Sequence, residues 1–355
     1  MIRREDIQKV LEAGVQAPSG SNSQPWRFVV RDGKTVEIIA LPEKDHPILN
    51  YRYRGTWIAH GALIENITVA ARSLGFEPTI ELFPEGKRPN LTARLTFSAR
   101  PIADVSLAEA VFARATNRKN YGPEPLPAAL LEELKREAAS VGHAELKIMN
   151  DPRAVQALAP AVAVNEILML EDKAVHKLFF EEIVWNKEEL EKRHEGLYLP
   201  TMELPLPSRL GLRLCRSWGF MNILNHLGFA RIIAKQNAAV YGAGGAVGVI
   251  VVPDDDKAFL WAGRVMERVW LTLTAHGYQM HLITGIFFFH QKMLSGDPGS
   301  FSAEHQRLVK EAYRKVAERF KIEKGELIAL YFRLGRAAPP SATSPKQPPV
   351  VEWEP

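Results

Sequence analysis

The sequence predicts an α+β fold built from two similar halves. Helical and strand patterns alternate along the 355 residues, and two parts of the chain repeat one pattern. With 46% hydrophobic residues, the chain is long enough for one large domain or two ordinary ones, each with its own core. We therefore expect a globular protein organised around an internal repeat.

The first half, residues 1–100, has the pattern of a helix, a hairpin, a long helix and two further strands. Asp32-Gly33 tolerates the positive backbone dihedrals of a tight hairpin turn, and Gly75 suits the end of the long helix. The predicted elements are a helix at 7–15, strands at 27–30 and 35–40, a helix at 57–74, and strands at 78–83 and 91–98.

The second half, residues 101–336, repeats this order. The helical window that begins at Trp57 superposes on a later one at a constant offset of 202 (277 − 75), which aligns Gly61 with Gly263 and Glu65 with Glu267. Two fused copies of one unit predict an intrachain pseudo-dimer related by a pseudo-twofold axis.

An inserted segment separates the parts of the second copy. Two matching windows nearer the start of each copy align at an offset of 121 instead of 202. The difference implies that the second copy has about 81 extra residues, at about 155–240. This segment contains helical patterns interrupted by prolines, followed by an aromatic and basic stretch. It forms a lid over a ligand, or its apolar residues pack against their own domain; a membrane-surface helix is a third reading.

The composition limits the classes of function. A formal charge of +4 gives no reason to expect nucleic acid binding, and the single Cys215 excludes an intrachain disulfide and a thiolate metal site. The sequence shows no secretory signal and no apolar run of about 20 residues, so we expect a cytoplasmic protein without stable membrane association. The tail, residues 337–355, has six prolines in nineteen residues and predicts an extended or disordered segment.

Two strings carry candidate chemistry. The first is APSGSNSQPWRF, at 17–28 between a helix and a strand, where small residues and prolines shape a loop that a flat ligand can approach. The second is RATNR at 114–118, whose two arginines can supply forked donors to a phosphate. The candidate binding residues are Pro18, Ser19, Gly20, Asn22 and Gln24 in the first string, and Arg114, Thr116, Asn117 and Arg118 in the second.

Both strings resemble motifs of the nitroreductase family, P-S-x-x-N-x-Q-P-W-x-F and R-x-S-x-R, with Thr116 in the serine position. The resemblance implies a mixed sheet with surrounding helices and an FMN site assembled from both halves. The first string lies in the first copy and the second string in the second, so it implies one FMN for each chain. The resemblance also covers Thr284 and Gly285, which it implies are near the flavin ring, and Arg333 and Arg336, which it implies are near the phosphate.

The resemblance implies an activity as well as a cofactor. FMN would take hydride from NAD(P)H and reduce a small-molecule acceptor such as a nitro compound or quinone. The fused arrangement also resembles a branch of the family proposed to hold flavin under a lid. The alternative function is therefore flavin sequestration with little or no reductase activity.

Overall fold

Two sheets from different parts of the chain, with helices between and around them, define the fold. The structure is a computed structural model that describes residues 2–44, 48–84, 88 and 90–354. Its helices are α1 (Arg4–Gly14), α2 (Arg54–Ser73), α3 (Val105–Ala113), α4 (Ala128–Val141), α5 (Pro152–Val162), α6 (Val164–Glu171), α7 (Lys173–Glu182), α8 (Lys187–Arg193), α9 (Leu206–Cys215), α10 (Trp218–His226), α11 (Phe229–Tyr241), α12 (Ala258–Ala275), α13 (Gly285–Leu294) and α14 (Ala303–Phe320).

Its strands are β1 (Trp26–Arg31), β2 (Thr35–Ala40), β3 (Phe76–Leu82), β4 (Leu91–Ala99), β5 (Glu145–Met149), β6 (Ile183–Val184), β7 (Leu197–Tyr198), β8 (Ala246–Pro253), β9 (Gln279–Leu282), β10 (Glu326–Gly335) and β11 (Val351–Trp353). Every element predicted for the first half is present, with bounds that differ by a few residues. The regular periods in that half are local, so they define the elements without knowledge of the tertiary structure.

The first sheet has the strand order β11-β1-β2-β4-β3 within the described residues. The hairpin of β1 and β2 turns at Asp32 and Gly33, whose φ angles are 53° and 61°. This confirms the predicted turn. The sheet is mixed. β11 is parallel to β1, whereas the pairs β1-β2, β2-β4 and β4-β3 are antiparallel.

The second sheet has the order β5-β8-β10-β9 within the described residues, and its pairs are antiparallel. β8 is buried on both faces. The first sheet takes β1 to β4 from residues before 100 and β11 from the tail, and the second sheet takes its strands from residues 145–335.

The long helices α2 and α12 cross at two glycines. A Cβ on Gly61 would lie 2.0 Å from the carbonyl oxygen of Leu260, and a Cβ on Gly263 would lie 2.0 Å from that of Ile58. Backbone meets backbone at this crossing, and only glycine permits such an approach. The two glycines that the repeat aligned are therefore in contact with the opposite helix.

Ion pairs continue the contact between these helices. The fully buried Glu65 of α2 accepts from the guanidiniums of Arg264 and Arg268 on α12, at 3.0 Å and 2.6 Å. The arginines lower the pKa of Glu65 against the effect of its burial, which raises it. A paired and buried carboxylate of this kind fixes the relative position of the two helices.

The inserted segment lies between β5 and β8. It contains α5 to α11 and the short parallel pair of β6 and β7. Within the described residues, Pro152–Glu171 is the one helical stretch long and apolar enough to cross a membrane, and 61% of it is buried. Most of this stretch is therefore core, packed under β8 and against α14.

The tail is extended, and its end is part of the first sheet. Val351 to Trp353 form β11, in register with Phe28 to Val30. For Val351–Trp353 the extended alternative of our expectation therefore applies, and not the disordered one. Backbone hydrogen bonding to an open sheet edge orders a segment that has no helical or strand period of its own.

Candidate functional site

The loop after α1 adopts an unusual backbone conformation. Ser21, Asn22 and Gln24 have φ angles of 45°, 58° and 52°, in the left-handed region that most side chains avoid. The hydroxyl of Ser19 accepts a hydrogen bond of 3.0 Å from the backbone N–H of Gln24. Such strained backbone persists only where surrounding contacts hold it, and it is concentrated at binding sites.

His60 of α2 supports the end of this loop. Its ring is fully buried, with Nε2 2.9 Å from the carbonyl oxygen of Pro25 and Nδ1 2.8 Å from the hydroxyl of Thr92. Burial lowers the pKa of His60 to about 4. The neutral ring therefore links the loop to β4 at ordinary pH.

A strap from the inserted segment, residues 194–201, lies on the loop. The carbonyl oxygen of His194 accepts from the side-chain amides of Asn22 at 3.2 Å and of Gln24 at 2.8 Å. The backbone N–H of Gly196 donates to the carbonyl of Ser21 at 2.8 Å. The strap thus uses donors that the sequence assigned to a ligand.

The tail contacts the same loop from a second direction. The ammonium of Lys346 donates to the side-chain oxygen of Asn22 and to the carbonyl of Ala17, both at 2.8 Å. The backbone N–H of Gln347 donates to the side-chain oxygen of Gln24 at 2.7 Å. Asn22 and Gln24 are consequently saturated by protein groups.

Lys346 also joins the loop to the second string. Burial and the nearby Arg114 lower the pKa of Lys346 to about 7, and Glu267 opposes that shift. Arg114 pairs with the fully buried Glu267 at 3.0 Å and donates to the carbonyl of Gln16. Sequence reasoning missed Lys346, because a lone lysine in a proline-rich tail carries no signal. It identified Glu267 only as a position of the repeat and not as part of the site.

Arg114 therefore differs from the role expected for it. Its guanidinium already has a carboxylate partner in Glu267 and lies over the ring of Trp270, with its carbon 4.7 Å from the ring centroid. Burial raises the pKa of Glu267 to about 7, and the charges of Arg114 and Lys346 oppose this. Arg114 links the carbonyl of Gln16 to Glu267 of α12, and its Nε, although 3.0 Å from the Glu267 carboxylate, makes no hydrogen bond.

Arg118 fits an anion better. Its guanidinium donates to the backbone carbonyl of Thr201 at 3.0 Å, and among the described residues no carboxylate lies within ion-pair distance of it. Burial lowers its pKa, with Tyr241 and Tyr121 among the groups close to it. A half-buried cation without a counter-ion has lost part of its solvation, and an anion placed beside it offsets that cost.

Arg333 does not lie at the end of a strand as expected, but inside β10. Its guanidinium donates to the backbone carbonyls of Val240, Ala243 and Lys119 at 2.6–2.7 Å. These bonds occupy the donors that a phosphate needs. Arg336 is exposed and lies over the ring of Tyr278, its guanidinium carbon 4.4 Å from the ring centroid.

Thr284 and Gly285 begin α13 and face the inserted segment. A Cβ on Gly285 would lie 1.8 Å from the side-chain oxygen of Asn165 in α6. The next residue, Glu166, accepts a hydrogen bond of 2.6 Å from the hydroxyl of Tyr241. This turn therefore contacts α6, which Tyr241 connects to the surroundings of Arg118, and both Thr284 and Gly285 are partly exposed.

The remaining predicted residues have simpler surroundings. The amide of Asn117 is buried and donates to Gln279 at 3.2 Å and to the carbonyl of Ala338 at 2.8 Å. Pro18, Ser19 and Thr116 are partly exposed, and Gly20 is exposed. Asn117 thus holds the tail, while the others remain accessible to a ligand.

The strap and the tail both connect the two strings. The strap bonds to Asn22 through His194 and to Arg118 through Thr201, seven residues further on, so it bridges at most about 25 Å. The tail bonds to Asn117 through Ala338 and to Asn22 through Pro345, again seven residues apart. One extended ligand of nucleotide size therefore has both strings within reach.

This fold and site define an α+β protein with a candidate anion and flat-ring site between two sheets. Comparison with known proteins adds the family. The model of the Nitroreductase family matches residues 1–53, which include the whole first string. An uncharacterized Mycobacterium tuberculosis protein is 24% identical over 341 residues, covering 94% of this chain and 46% of that protein.

A second Mycobacterium tuberculosis protein bears the name "Putative NAD(P)H nitroreductase acg"; it is 26% identical over 183 residues, 51% of this chain and 54% of that protein. The chain spans about half the length of the curated relatives it matches. A solved nitroreductase with bound FMN from Desulfitobacterium hafniense gives a TM-score of 0.37 at 11% identity, covering 69% of this chain and 94% of that one. In its family-model match and its sequence relatives, the chain is similar to proteins of the nitroreductase family.

Proposed function

We propose that the chain binds FMN between its two halves and is a flavin-dependent NAD(P)H oxidoreductase. The observation that carries this is the convergence of the two strings, which lie about 100 residues apart but share the strap, the tail and Lys346. Names of sequence relatives that include NAD(P)H nitroreductase support the same class. Bound FMN would accept hydride from the nicotinamide and pass the electrons to a nitro or quinone acceptor.

The residues of the site fit such a cofactor in kind. Arg118 offers a half-buried cation to the phosphate, and Asn22 and Gln24 offer amides to the polar edge of a ring. Those amides are hydrogen-bonded to the carbonyl of His194 in the strap and to Pro345, Lys346 and Gln347 in the tail. The proposal therefore requires FMN to replace strap or tail contacts, bond for bond, when it binds.

We also infer that the chain is a tandem duplication with one FMN site. The aligned glycines cross at the centre of the molecule, and each half supplies most of one sheet. The loop that corresponds to the first string in the second copy contains His143 and lacks the asparagine. A cytoplasmic location remains a prediction.

Titration of the purified full chain with FMN tests the binding site. We expect saturable binding that Asn22→Ala and Arg118→Gln each weaken more than about tenfold. Two controls match these changes: His143→Ala in the degenerate loop and Arg136→Gln, whose side chain is 69% exposed. The proposal fails if FMN does not bind, or if the control variants lose as much affinity as the site variants.

Flavin sequestration is the second candidate, and a specific observation favours it. The strap and the tail cover the loop that would hold the ring, so access to a bound flavin is restricted. Anaerobic mixing of the FMN-loaded chain with NADH or NADPH separates the two functions. Rapid bleaching of the flavin absorbance supports a reductase, whereas tightly bound flavin that neither nucleotide bleaches supports sequestration.

A further inference from the structure

Three consecutive helices of the inserted segment, α9, α10 and α11, carry large apolar side chains on the surface. Each of these helices contacts the next one. We call their outer side the basic apolar face, because basic residues accompany the apolar ones. Its exposed apolar residues, all more than 40% accessible, are Leu206, Leu210, Leu214, Phe220, Ile223, Leu227 and Ile232.

These exposed residues are not a consequence of a missing core. The same helices have an inner side, where Cys215, Met221 and Ala230 are buried in a cluster with Phe180 and Leu199. Our expectation that apolar residues of the segment pack against their own domain therefore holds for the inner side and is wrong for the outer side. Exposed apolar patches of this size mark interaction sites.

α9 shows the arrangement most clearly. Leu206, Leu210 and Leu214 recur every four residues and form one exposed row along the helix. Arg209 and Arg213 have the same spacing, one position earlier, so a basic row lies beside the leucine row. Basic and apolar rows side by side, on a helix lying on a protein surface, are typical of interfacial helices.

The charge of this region identifies the kind of partner. Residues 204–253 contain five basic residues and neither aspartate nor glutamate, a formal charge of +5, in a chain whose net charge is +4. The rest of the chain is thus close to neutral (4 − 5 = −1). Two copies of the face would repel one another, so a second copy of this chain is a poor occupant.

We propose that the basic apolar face docks reversibly on the surface of a membrane rich in anionic lipid. The leucine, isoleucine and phenylalanine side chains insert among the acyl chains, while Arg213, Arg216 and Lys235 contact lipid phosphates; Arg231 is paired with Glu304 at 3.4 Å. The apolar residues are spread over three helices rather than lining one groove, which suits a fluid bilayer better than a folded protein. Pro152–Glu171 takes no part, because it is core of the second sheet.

Flotation of the full chain with vesicles tests this docking. We expect binding to vesicles of phosphatidylglycerol and phosphatidylcholine at low salt, little binding to pure phosphatidylcholine, and release at 0.5–1 M salt, an ionic strength at which the Debye length falls to a few ångströms. Leu214→Glu with Ile223→Glu should weaken binding more than about tenfold. The matched control is Ile102→Glu with Leu294→Glu, whose parent residues are 68% and 58% exposed outside the face.

A second pair of variants separates the position of the charge from its amount. Arg213→Glu with Lys235→Glu and the control Lys135→Glu with Arg136→Glu both change the net charge from +4 to 0 (4 − 4 = 0). Only the first pair should lose binding. Far-ultraviolet circular dichroism confirms that each variant is folded.

Four results would overturn the proposal. These are no binding to anionic vesicles, equal binding to neutral vesicles, equal loss in the face variants and their controls, or a concentration-dependent dimer that Leu214→Glu dissociates. The last result would show that a second copy of the chain covers the face. Light scattering measures whether the chain forms such a dimer. Because neither flotation nor light scattering involves FMN, these results are independent of the proposed flavin chemistry.

Discussion

Replacing Gly61 with alanine tests the crossing of α2 and α12. The added Cβ would lie 2.0 Å from the carbonyl oxygen of Leu260 and 2.8 Å from the backbone nitrogen of Arg264. Ordinary contacts of a Cβ begin near 3.4 Å, so α2 and α12 must separate by more than 1 Å. Both contacts are backbone atoms, so no side-chain rotation relieves them.

We expect Gly61→Ala to lower the free energy of unfolding by about 3 kcal/mol or more, since it overpacks a contact between backbones. Urea unfolding followed by circular dichroism measures this. Gly263→Ala should have a similar effect, and the double variant should lose less than the sum, because both changes separate the same two helices. In the control, Gly211→Ala on the exposed side of α9, the Cβ meets nothing within 4 Å and should be neutral or stabilising by up to about 1 kcal/mol.

A Gly61→Ala protein that unfolds within about 0.5 kcal/mol of the wild type would refute the close crossing of the helices. A second measurement connects the crossing to the site. Because Arg114 reaches Glu267 of α12, separation of the helices should also weaken FMN binding. FMN affinity unchanged in a clearly destabilised variant would show that the site does not depend on this contact.

Three further predictions concern the site. The pKa of Lys346 is about 7 in the folded chain and 10.5 when exposed, so the unfolded chain binds more protons between these two pH values. The free energy of unfolding should therefore rise with pH in this range. In Lys346→Met this rise, measured by urea unfolding at pH 7.5 and 9.5, should be smaller. His60 has a folded pKa of about 4, so its contribution is complete above pH 6.5 and is lost as the pH falls toward 4; His60→Gln should unfold with a weaker acid dependence, and an unchanged dependence would contradict this. Arg118→Gln should weaken FMN binding while leaving the FMN-free chain about as stable as the wild type, because it removes a half-buried cation that has no carboxylate partner among the described residues, and a large loss of stability would show that Arg118 is structural.

The sequence predicted those parts of the fold that depend on neighbours along the chain. The hairpin at Asp32-Gly33 and the helix that ends before Gly75 follow from local backbone preferences, and both are present. The first string also identified its loop correctly as the connection between α1 and β1. Its composition of small residues and prolines is unusual enough to be recognised without a structure.

The parts that the sequence did not predict depend on distant contacts. Lys346 lies 324 residues from Asn22, and nothing in the period or composition of the tail indicates that they meet. β11 has only three residues and forms by pairing with β1, so its order comes from an existing sheet edge. Arg333 was expected near a phosphate, whereas three backbone carbonyls accept its hydrogen bonds inside the protein.

The strap relates the two candidate functions to one quantity. It is bonded to the site through Asn22, Gln24, Ser21 and Arg118, and each of these hydrogen bonds contributes about 1 kcal/mol net. Breaking these hydrogen bonds therefore costs a few kcal/mol, and the pairing of β7 with β6 and the burial of Leu199 add to the cost of opening the whole strap. A chain in which FMN displaces the strap exposes the flavin and acts as a reductase, whereas a chain that binds FMN beneath a closed strap holds the flavin away from nicotinamide. The difference between an enzyme and a flavin store is then the free energy of strap opening in the loaded protein, not the identity of the residues that contact the flavin.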